Sequence, residues 1–144
     1  MKRLTFLLLL FCSFSAFSQV SSIVGLWKTI DDETGEAKSL VRIYKAENGK
    51  YYGKIEKLFK NPDRLCVECK GKNKNKPILG MIIITDMVVN GDKLNDGEIL
   101  NPANGKTYSA TITYDKKSGI LRVRGSVAFG LVGKSQYWIR EKEE

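Results

Sequence analysis

The stretch KTYSATITY (residues 106–114) alternates between two kinds of side chain without a break. From Tyr108 on, every second position is apolar or aromatic, and these positions share one face: Tyr108, Ala110, Ile112 and Tyr114. The other face carries only hydroxyl groups, from Thr107, Ser109, Thr111 and Thr113. Because successive side chains of a strand point to opposite sides, the stretch predicts a β-strand with one buried face and one solvated face.

Seven further runs, of four to ten residues, lie around it, and turn-forming residues separate them. Asn48-Gly49, the strongest of these turn signals, predicts a hairpin between two of the runs. We find no convincing amphipathic helix between them. The eight predicted strands are GLWKTI (25–30), SLVRIYK (39–45), YYGKIEKL (51–58), GMIIITDMVV (80–89), GEIL (97–100), KTYSATITY (106–114), ILRVRGSV (120–127) and GKSQYWIRE (133–141).

The spacing of the strands predicts an all-β fold with a single domain. Eight antiparallel strands joined by short hairpins close most simply into an up-and-down barrel, whose interior is filled or holds one small ligand. A β-sandwich is the main alternative, since it gives the same spacing. The regular hairpins favour the barrel, because the segment 59–79 is the only long connection.

The first 18 residues have the layout of a cleaved signal peptide. Lys2 and Arg3 precede the apolar run at 4–11, and Ala-Phe-Ser follows at 16–18. The run is too short for a transmembrane helix, and lipidation at Cys12 ranks below ordinary cleavage because a bulky phenylalanine precedes it. We therefore expect an exported protein, periplasmic or secreted, with no membrane anchor and one domain at 19–144. Cleavage would lower the formal net charge from +8 to +6.

Three motifs in this order resemble DUF2147, a family of exported bacterial proteins: GLWKT near residue 25, NPANGKTY at 101–108 and GKSQYWIR at 133–140. The Phe-Ser-Gln junction at 17–19 and the Cys-x-x-Cys-Lys-Gly segment at 66–71 resemble the form found in Bacteroidetes. The resemblance implies a calycin-type barrel, similar to lipocalins or fatty-acid-binding proteins. It implies little about chemistry.

The lipocalin comparison also suggests how one end of the barrel is closed. Lipocalins carry Gly-x-Trp on the first strand and an arginine on the last, and the guanidinium packs over the indole. Gly25, Trp27 and Arg140 match that arrangement, which predicts a structural role. Trp138, on the same terminal strand, is the alternative indole for this closure.

CVECKGKNKNKP (66–77) is the most unusual segment outside the strands. Zinc needs about four ligands, but the chain has no histidine, and a redox CxxC needs a helix that is not expected here. In an oxidising compartment a Cys66–Cys69 disulfide is the simplest interpretation. Lysines follow at every second position, so an extended segment would present them together to an anion, although a solvated loop is the simpler explanation: Lys70, Lys72, Lys74 and Lys76.

Three functions remain open for such a barrel. The first is binding of a small apolar or amphipathic ligand, with an inward Arg124 pairing with a ligand carboxylate; an outward Arg124 is the alternative. The second is an envelope interaction protein with a filled barrel, and the third is an enzyme that uses the cavity. Without histidine, Ser-His-Asp and Cys-His catalysis are excluded, and no cofactor, metal or nucleic-acid motif is present. The candidate lining residues are Tyr44, Tyr108, Ile112, Arg124, Gln136 and Trp138.

Overall fold

The computed structural model describes residues 15–143 of the chain. A short helix comes first, α1 (Ser15–Ile23). Eight strands follow it: β1 (Gly25–Ile30), β2 (Ala37–Lys45), β3 (Tyr51–Leu58), β4 (Ile82–Asn90), β5 (Lys93–Asn101), β6 (Lys106–Asp115), β7 (Ile120–Val127) and β8 (Val132–Arg140). Two single turns of 3₁₀ helix lie in the connections, at Gly71–Asn73 and Ala128–Gly130.

The strands form one closed antiparallel barrel in chain order. Each strand pairs with the next, and β8 pairs back with β1 through Trp27 opposite Arg140 and Lys28 opposite Ile139. The prediction of an eight-stranded up-and-down barrel is confirmed, and the sandwich alternative is wrong. Closure leaves no free edge, because every strand has two hydrogen-bonded neighbours.

The inward face follows the alternation seen in the sequence of β6. Ala110 and Ile112 are buried, while Ser109 is exposed. The core continues through the same parity on the other strands and includes Trp27, Val41, Ile43, Ile84, Met87, Leu94, Leu121, Val123 and Trp138. Most of these side chains fill the half of the barrel nearer to α1, while Val123 and Trp138 also face the other half.

The two ends of the barrel differ, because the strand number is even and the connections alternate between them. Four connections lie at the end that we call the mouth: 31–36, 59–81, 102–105 and 128–131. Three short hairpins, at 46–50, 91–92 and 116–119, lie at the opposite end together with α1. We call this second end the closed end, since the Trp27 indole Nε1 donates to the carbonyl of Ile23 there (2.8 Å).

Helix α1 was not expected within the predicted mature chain. It contacts β5 and β6, and it buries Val20 and Ile23 in the core. The predicted cleavage site after Ser18 falls inside it, and both buried residues lie after that site. Most of the predicted signal peptide, residues 1–14, lies outside the described residues. Within 15–143 no helix has the length and apolar character needed to cross a bilayer.

Strand β5 is longer than the predicted GEIL run, because it begins at Lys93. The first half, Lys-Leu-Asn-Asp, has little strand propensity. Asp96 adopts φ +59°, and the pairing with β6 shifts register between Leu94 and Gly97. This irregularity is a bulge that keeps both halves in one strand.

Candidate functional site

A cavity of about 730 Å³ opens at the mouth of the barrel. Its volume lies in the range of small-molecule sites. The floor is apolar, and its walls come from several different strands: Ile55, Ile83, Ile99, Val123 and Trp138. Below this level the core is packed, so the cavity occupies only the half of the barrel nearer to the mouth.

Polar groups lie around and above the apolar floor of the cavity. The Trp138 indole Nε1 donates to Gln136 Oε1 (3.2 Å), which orients the glutamine amide within the cavity wall. Within the described part of the chain, no protein group accepts from Gln136 Nε2. The Tyr108 hydroxyl accepts from Asn104 Nδ2 (3.1 Å). An apolar pocket with a small number of fixed polar groups can hold an amphipathic molecule and orient it.

Ion pairs surround the mouth. Lys134 Nζ lies 3.1 Å from Asp32, and Lys60 donates to Glu36. The hydrogen bond to Glu36 raises the pKa of Lys60. Arg64 also lines the cavity, and its guanidinium has no side-chain partner within residues 15–143. The rim of the cavity is therefore charged and mixed in sign, and Arg64 is a cation there without a side-chain partner among the described residues.

Asp31 holds the turn between β1 and β2 at this rim. Its carboxylate accepts from the backbone N–H groups of Thr34 and Glu33, both at 2.9 Å. These bonds, that of Thr34 first, lower the pKa of Asp31. The negative charge of this aspartate therefore fixes the shape of one side of the mouth.

Three of the six candidate lining residues lie at the cavity: Tyr108, Gln136 and Trp138. Ile112 also points inward, but it is fully buried in the packed core below the cavity. It pairs with Leu94 on β5 and with Val123 on β7. Ile112 therefore belongs to the packed core and does not line the cavity.

Tyr44 lies on the outside of the barrel, so its predicted place in the lining is wrong. Val41 and Ile43 take the inward positions of β2. Tyr44 instead stacks on Tyr52 of β3, with ring centroids 6.0 Å apart. Both faces of this strand carry large side chains, and the sequence did not show which face was inward.

Arg124 points outward, so of its two predicted orientations the inward one is wrong and the outward one is what the structure has. Its neighbours Val123 and Gly125 take the inward positions and line the cavity. The Arg124 Nη2 donates to the carbonyl of Gly130 (3.0 Å), in the turn between β7 and β8. The guanidinium therefore holds that turn in place and does not line the cavity.

The closed end brings Gly25, Trp27 and Arg140 together. The Arg140 guanidinium carbon lies 4.0 Å from the centroid of the Trp27 ring. The same guanidinium donates to the carbonyls of Val24 (2.8 Å) and Ser22. Gly25 has φ +136°, and a Cβ there would lie 2.3 Å from Arg140 Nη1. The closure uses Trp27, not Trp138, whose indole faces the cavity.

Cys66 and Cys69 form a disulfide, as the sequence predicted. Both are buried, and the bridged segment packs on the turn between β5 and β6. The contact is so close that a Cβ on Gly105 would lie 1.9 Å from the Glu68 carbonyl oxygen. The Cys66 backbone also bonds to Lys76 and Asn75. The loop is therefore a fixed part of the mouth.

The lysines of this loop do not form the extended row that the alternation suggested. A 3₁₀ turn at Gly71–Asn73 breaks the alternation, and Lys74 folds back to donate to the Val67 carbonyl. The other three, Lys70, Lys72 and Lys76, line an outer groove of about 1190 Å³ between the loop and β4–β5. Glu68, Asp86 and Glu98 line the same groove, so its charge is mixed.

Sequence reasoning missed the mouth residues themselves. Arg64, Lys60 and Lys134 lie in or beside connections, where charged residues carry no periodic signal. Thr29 and Ser39 were also missed: their hydroxyl groups share a hydrogen bond of 2.7 Å in the cavity wall. Across residues 15–143, no three His, Cys, Asp or Glu side chains group together as a metal site.

The closed eight-stranded barrel has a lipocalin-like fold. The chain belongs to the family described as "Uncharacterized protein conserved in bacteria (DUF2147)", which matches residues 25–140. HP1028 of Helicobacter pylori, described as belonging to the lipocalin family, has a similar structure, with a TM-score of 0.72. The two are 22% identical, and the match covers 83% of each chain. No curated protein is significantly similar to the chain.

Proposed function

We propose that this protein is an exported binding protein that holds a small apolar or amphipathic molecule in the mouth half of its barrel. The cavity of about 730 Å³ is the observation that carries the proposal. A barrel of eight strands is wide enough for one small ligand only where side chains leave the lumen unfilled, and here they do so above Ile112.

The lining favours a molecule with an apolar body and a polar end. Isoleucines, Val123 and the face of Trp138 form the floor, while Gln136, Tyr108 and the charged rim lie around and above them. An acyl or aromatic body would gain from leaving water at the floor. Its polar end would remain at the mouth, within reach of Gln136 Nε2 and Arg64.

Two other functions are less well supported. An envelope interaction protein would need no lumen, and the cavity in the described barrel argues against a filled interior. An enzyme would need reacting groups held together in the cavity. Within residues 15–143 its polar lining consists mainly of hydroxyls, side-chain amides and rim ion pairs, and none of these groups forms a nucleophile–base pair. Binding without chemistry therefore fits the lining best.

A fluorescent amphipathic anion, 1-anilinonaphthalene-8-sulfonate, tests the cavity directly. We expect it to bind the wild-type protein and to lose at least about tenfold in affinity when Val123→Phe fills the floor. Ile139→Phe is the matched control, because Ile139 lies outward on β8 and is exposed. Equal affinity in the wild type and Val123→Phe would overturn the cavity as the binding site.

Native mass spectrometry of the protein from the periplasmic fraction tests the exported state and the natural cargo. A mass beginning at Gln19, with a small molecule that leaves on denaturation, is the expected result. A chain that retains Met1 and stays in the cytoplasm would contradict export. A barrel that carries no molecule and binds no dye would contradict the proposed function.

A further inference from the structure

The mouth exposes apolar side chains that contribute nothing to the core. Three of them lie together where β7 turns into β8: Val127, Leu131 and Val132. Leu131 is 85% exposed and Val132 is 64% exposed, while Val127 and Val132 pair directly across the two strands. We call these three residues the apolar tip. Exposed aliphatic groups concentrated on one loop mark an interaction surface more often than scattered ones do.

The apolar tip is held in place rather than left to fold into the lumen. Arg124 donates to the Gly130 carbonyl from outside, and its guanidinium nitrogen lies 2.7 Å from where a Cβ on Gly133 would be. The glycine thus leaves room for the arginine beside the turn. Leu131 is therefore presented to solvent at a fixed position.

A positively charged segment lies beside the apolar tip. Residues 59–81 contain six basic and two acidic residues. Within the described chain, four of the six have no side-chain partner: Arg64, Lys70, Lys72 and Lys76. Arg64 and Val132 line the same cavity, and Val127 lines the outer groove together with the three lysines. The cations and the apolar tip are therefore parts of one surface, in which the cations stand beside Glu68, Asp86 and Glu98 of the groove.

Four more apolar side chains are exposed on this basic segment: Phe59, Leu65, Val67 and Leu79. Exposed aliphatic and aromatic groups interleaved with unpaired cations suit a layer that is anionic at its surface and apolar beneath it. A protein partner would more often offer defined pockets and acidic side chains, and no deep pocket isolates the tip here. The combination fits a lipid layer best.

We infer that the mouth docks on the surface of an anionic phospholipid membrane, with the apolar tip among the lipid chains and residues 59–81 over the headgroups. Docking needs no cargo, so it stands apart from the proposed ligand binding. It would bring the cavity opening against the lipid layer. The inferred contact is peripheral, since only side chains of the mouth enter the layer.

Vesicle co-sedimentation tests this inference. The probes are vesicles of phosphatidylcholine alone and vesicles with about one third phosphatidylglycerol. We expect the wild-type protein to bind the anionic vesicles, and raised salt to weaken that binding. Leu131→Asp should lower the partition at least about tenfold. Val89→Asp is the matched control: it adds the same charge at a residue that is 47% exposed near the closed end, and it should change the partition little.

The basic segment has its own pair of variants. Lys70→Glu/Lys72→Glu should abolish the preference for anionic vesicles, while Lys116→Glu/Lys117→Glu, in a closed-end turn, makes the same charge change and should preserve most of it. No binding to anionic vesicles would overturn the inference, and so would equal losses in the mouth variants and their controls. A dimer that requires Leu131, without vesicle binding, would assign the surface to a second copy and overturn it as well.

The same variants separate this inference from the proposed function. Leu131 does not line the cavity, so Leu131→Asp should bind 1-anilinonaphthalene-8-sulfonate as the wild type does. Vesicle binding without dye binding would preserve docking and contradict the ligand site. Dye binding without vesicle binding would preserve the ligand site and contradict docking.

Discussion

Replacing Gly25 with alanine should destabilise the barrel far more than one added methyl group suggests. The new Cβ would lie 2.3 Å from Arg140 Nη1, so the guanidinium must leave its place. It would then lose its position over Trp27 and its bonds to the carbonyls of Val24 and Ser22. The contact of the exposed Arg140 with the buried Trp27 ring contributes about 1 kcal/mol, and each hydrogen bond contributes about 1 kcal/mol.

The backbone adds a second cost. Gly25 has φ +136°, which a residue with a Cβ adopts at a cost of about 1 kcal/mol or more. We therefore expect Gly25→Ala to lower the free energy of unfolding by about 4 kcal/mol. In a chain of this size such a loss lowers the melting temperature by about 15 °C.

Thermal and urea unfolding followed by circular dichroism would measure the loss. Gly35→Ala is the control, because Gly35 also has positive φ (+73°) but nothing lies within 4 Å of its added Cβ. Gly35→Ala should lower the free energy of unfolding only by the cost of a positive φ, about 1 kcal/mol. Equal losses in the two variants would show that the clash with Arg140 is unimportant.

A double-mutant cycle isolates the clash itself. Arg140→Ala should cost about 3 kcal/mol by removing the ring contact and both hydrogen bonds. Adding Gly25→Ala to that background should then cost only about 1 kcal/mol, because no guanidinium remains to be displaced. If the two losses simply add, the reasoning is refuted.

Two further predictions concern a turn and the disulfide. The Ser118 hydroxyl and the Lys117 N–H, in that order, bond to Asp115 and lower its pKa from 3.8. A lowered pKa stabilises the fold above 3.8 and ceases to do so as the pH falls below it. The gap in melting temperature between the wild type and Asp115→Asn should therefore close in acid, and a constant gap would contradict this. Cys66→Ser/Cys69→Ser should lower the free energy of unfolding by about 2 kcal/mol, since the ring is short. Urea unfolding would measure it, and an unchanged midpoint would contradict it.

The fold could be predicted from the sequence because most of its strands are apolar runs bounded by clear turn residues. β6 alternates strictly, and turn residues such as Asn48-Gly49 mark where the chain reverses. The local rules and the global closure agree, so eight runs were enough to give the barrel. The first half of β5 was missed because Lys93, Asn95 and Asp96 have low strand propensity. Pairing with β4 and β6 and the burial of Leu94 hold this half in the sheet.

The candidate site was harder to predict, because it depends on which face of each strand points inward. In β2 both faces carry large side chains, so Tyr44 could be assigned to either. In β7 the apolar residues Leu121 and Val123 do indicate the inward face. Gly125 belongs to the same face, but it has no side chain and so adds nothing to the pattern. If the inward and outward positions of a strand are assigned the wrong way round, every side chain is placed on the wrong side of the barrel wall. The inward interpretation of Arg124 made this error.

The loop at 66–77 shows a third limit of prediction from the sequence. The alternation of lysines in 70–76 has the period of a strand, but the backbone there is set by a turn and by contact with the next hairpin. Gly71 and Asn75 adopt positive φ, and the lysines diverge. Side chains without a buried face have no packing to enforce their period, so a polar pattern alone predicts direction poorly.

Because the number of strands is even, the chain enters and leaves the barrel at the same end. This arrangement has a practical consequence for attaching the protein to a sensor surface. Helix α1 and the residues after Arg140 both leave the barrel at the closed end. A fluorescent protein fused to the carboxyl terminus, or a chip linker attached there, would sit at the far end of the barrel from the opening. The molecule could be immobilised in one orientation, with every copy presenting its cavity and apolar tip to the sample.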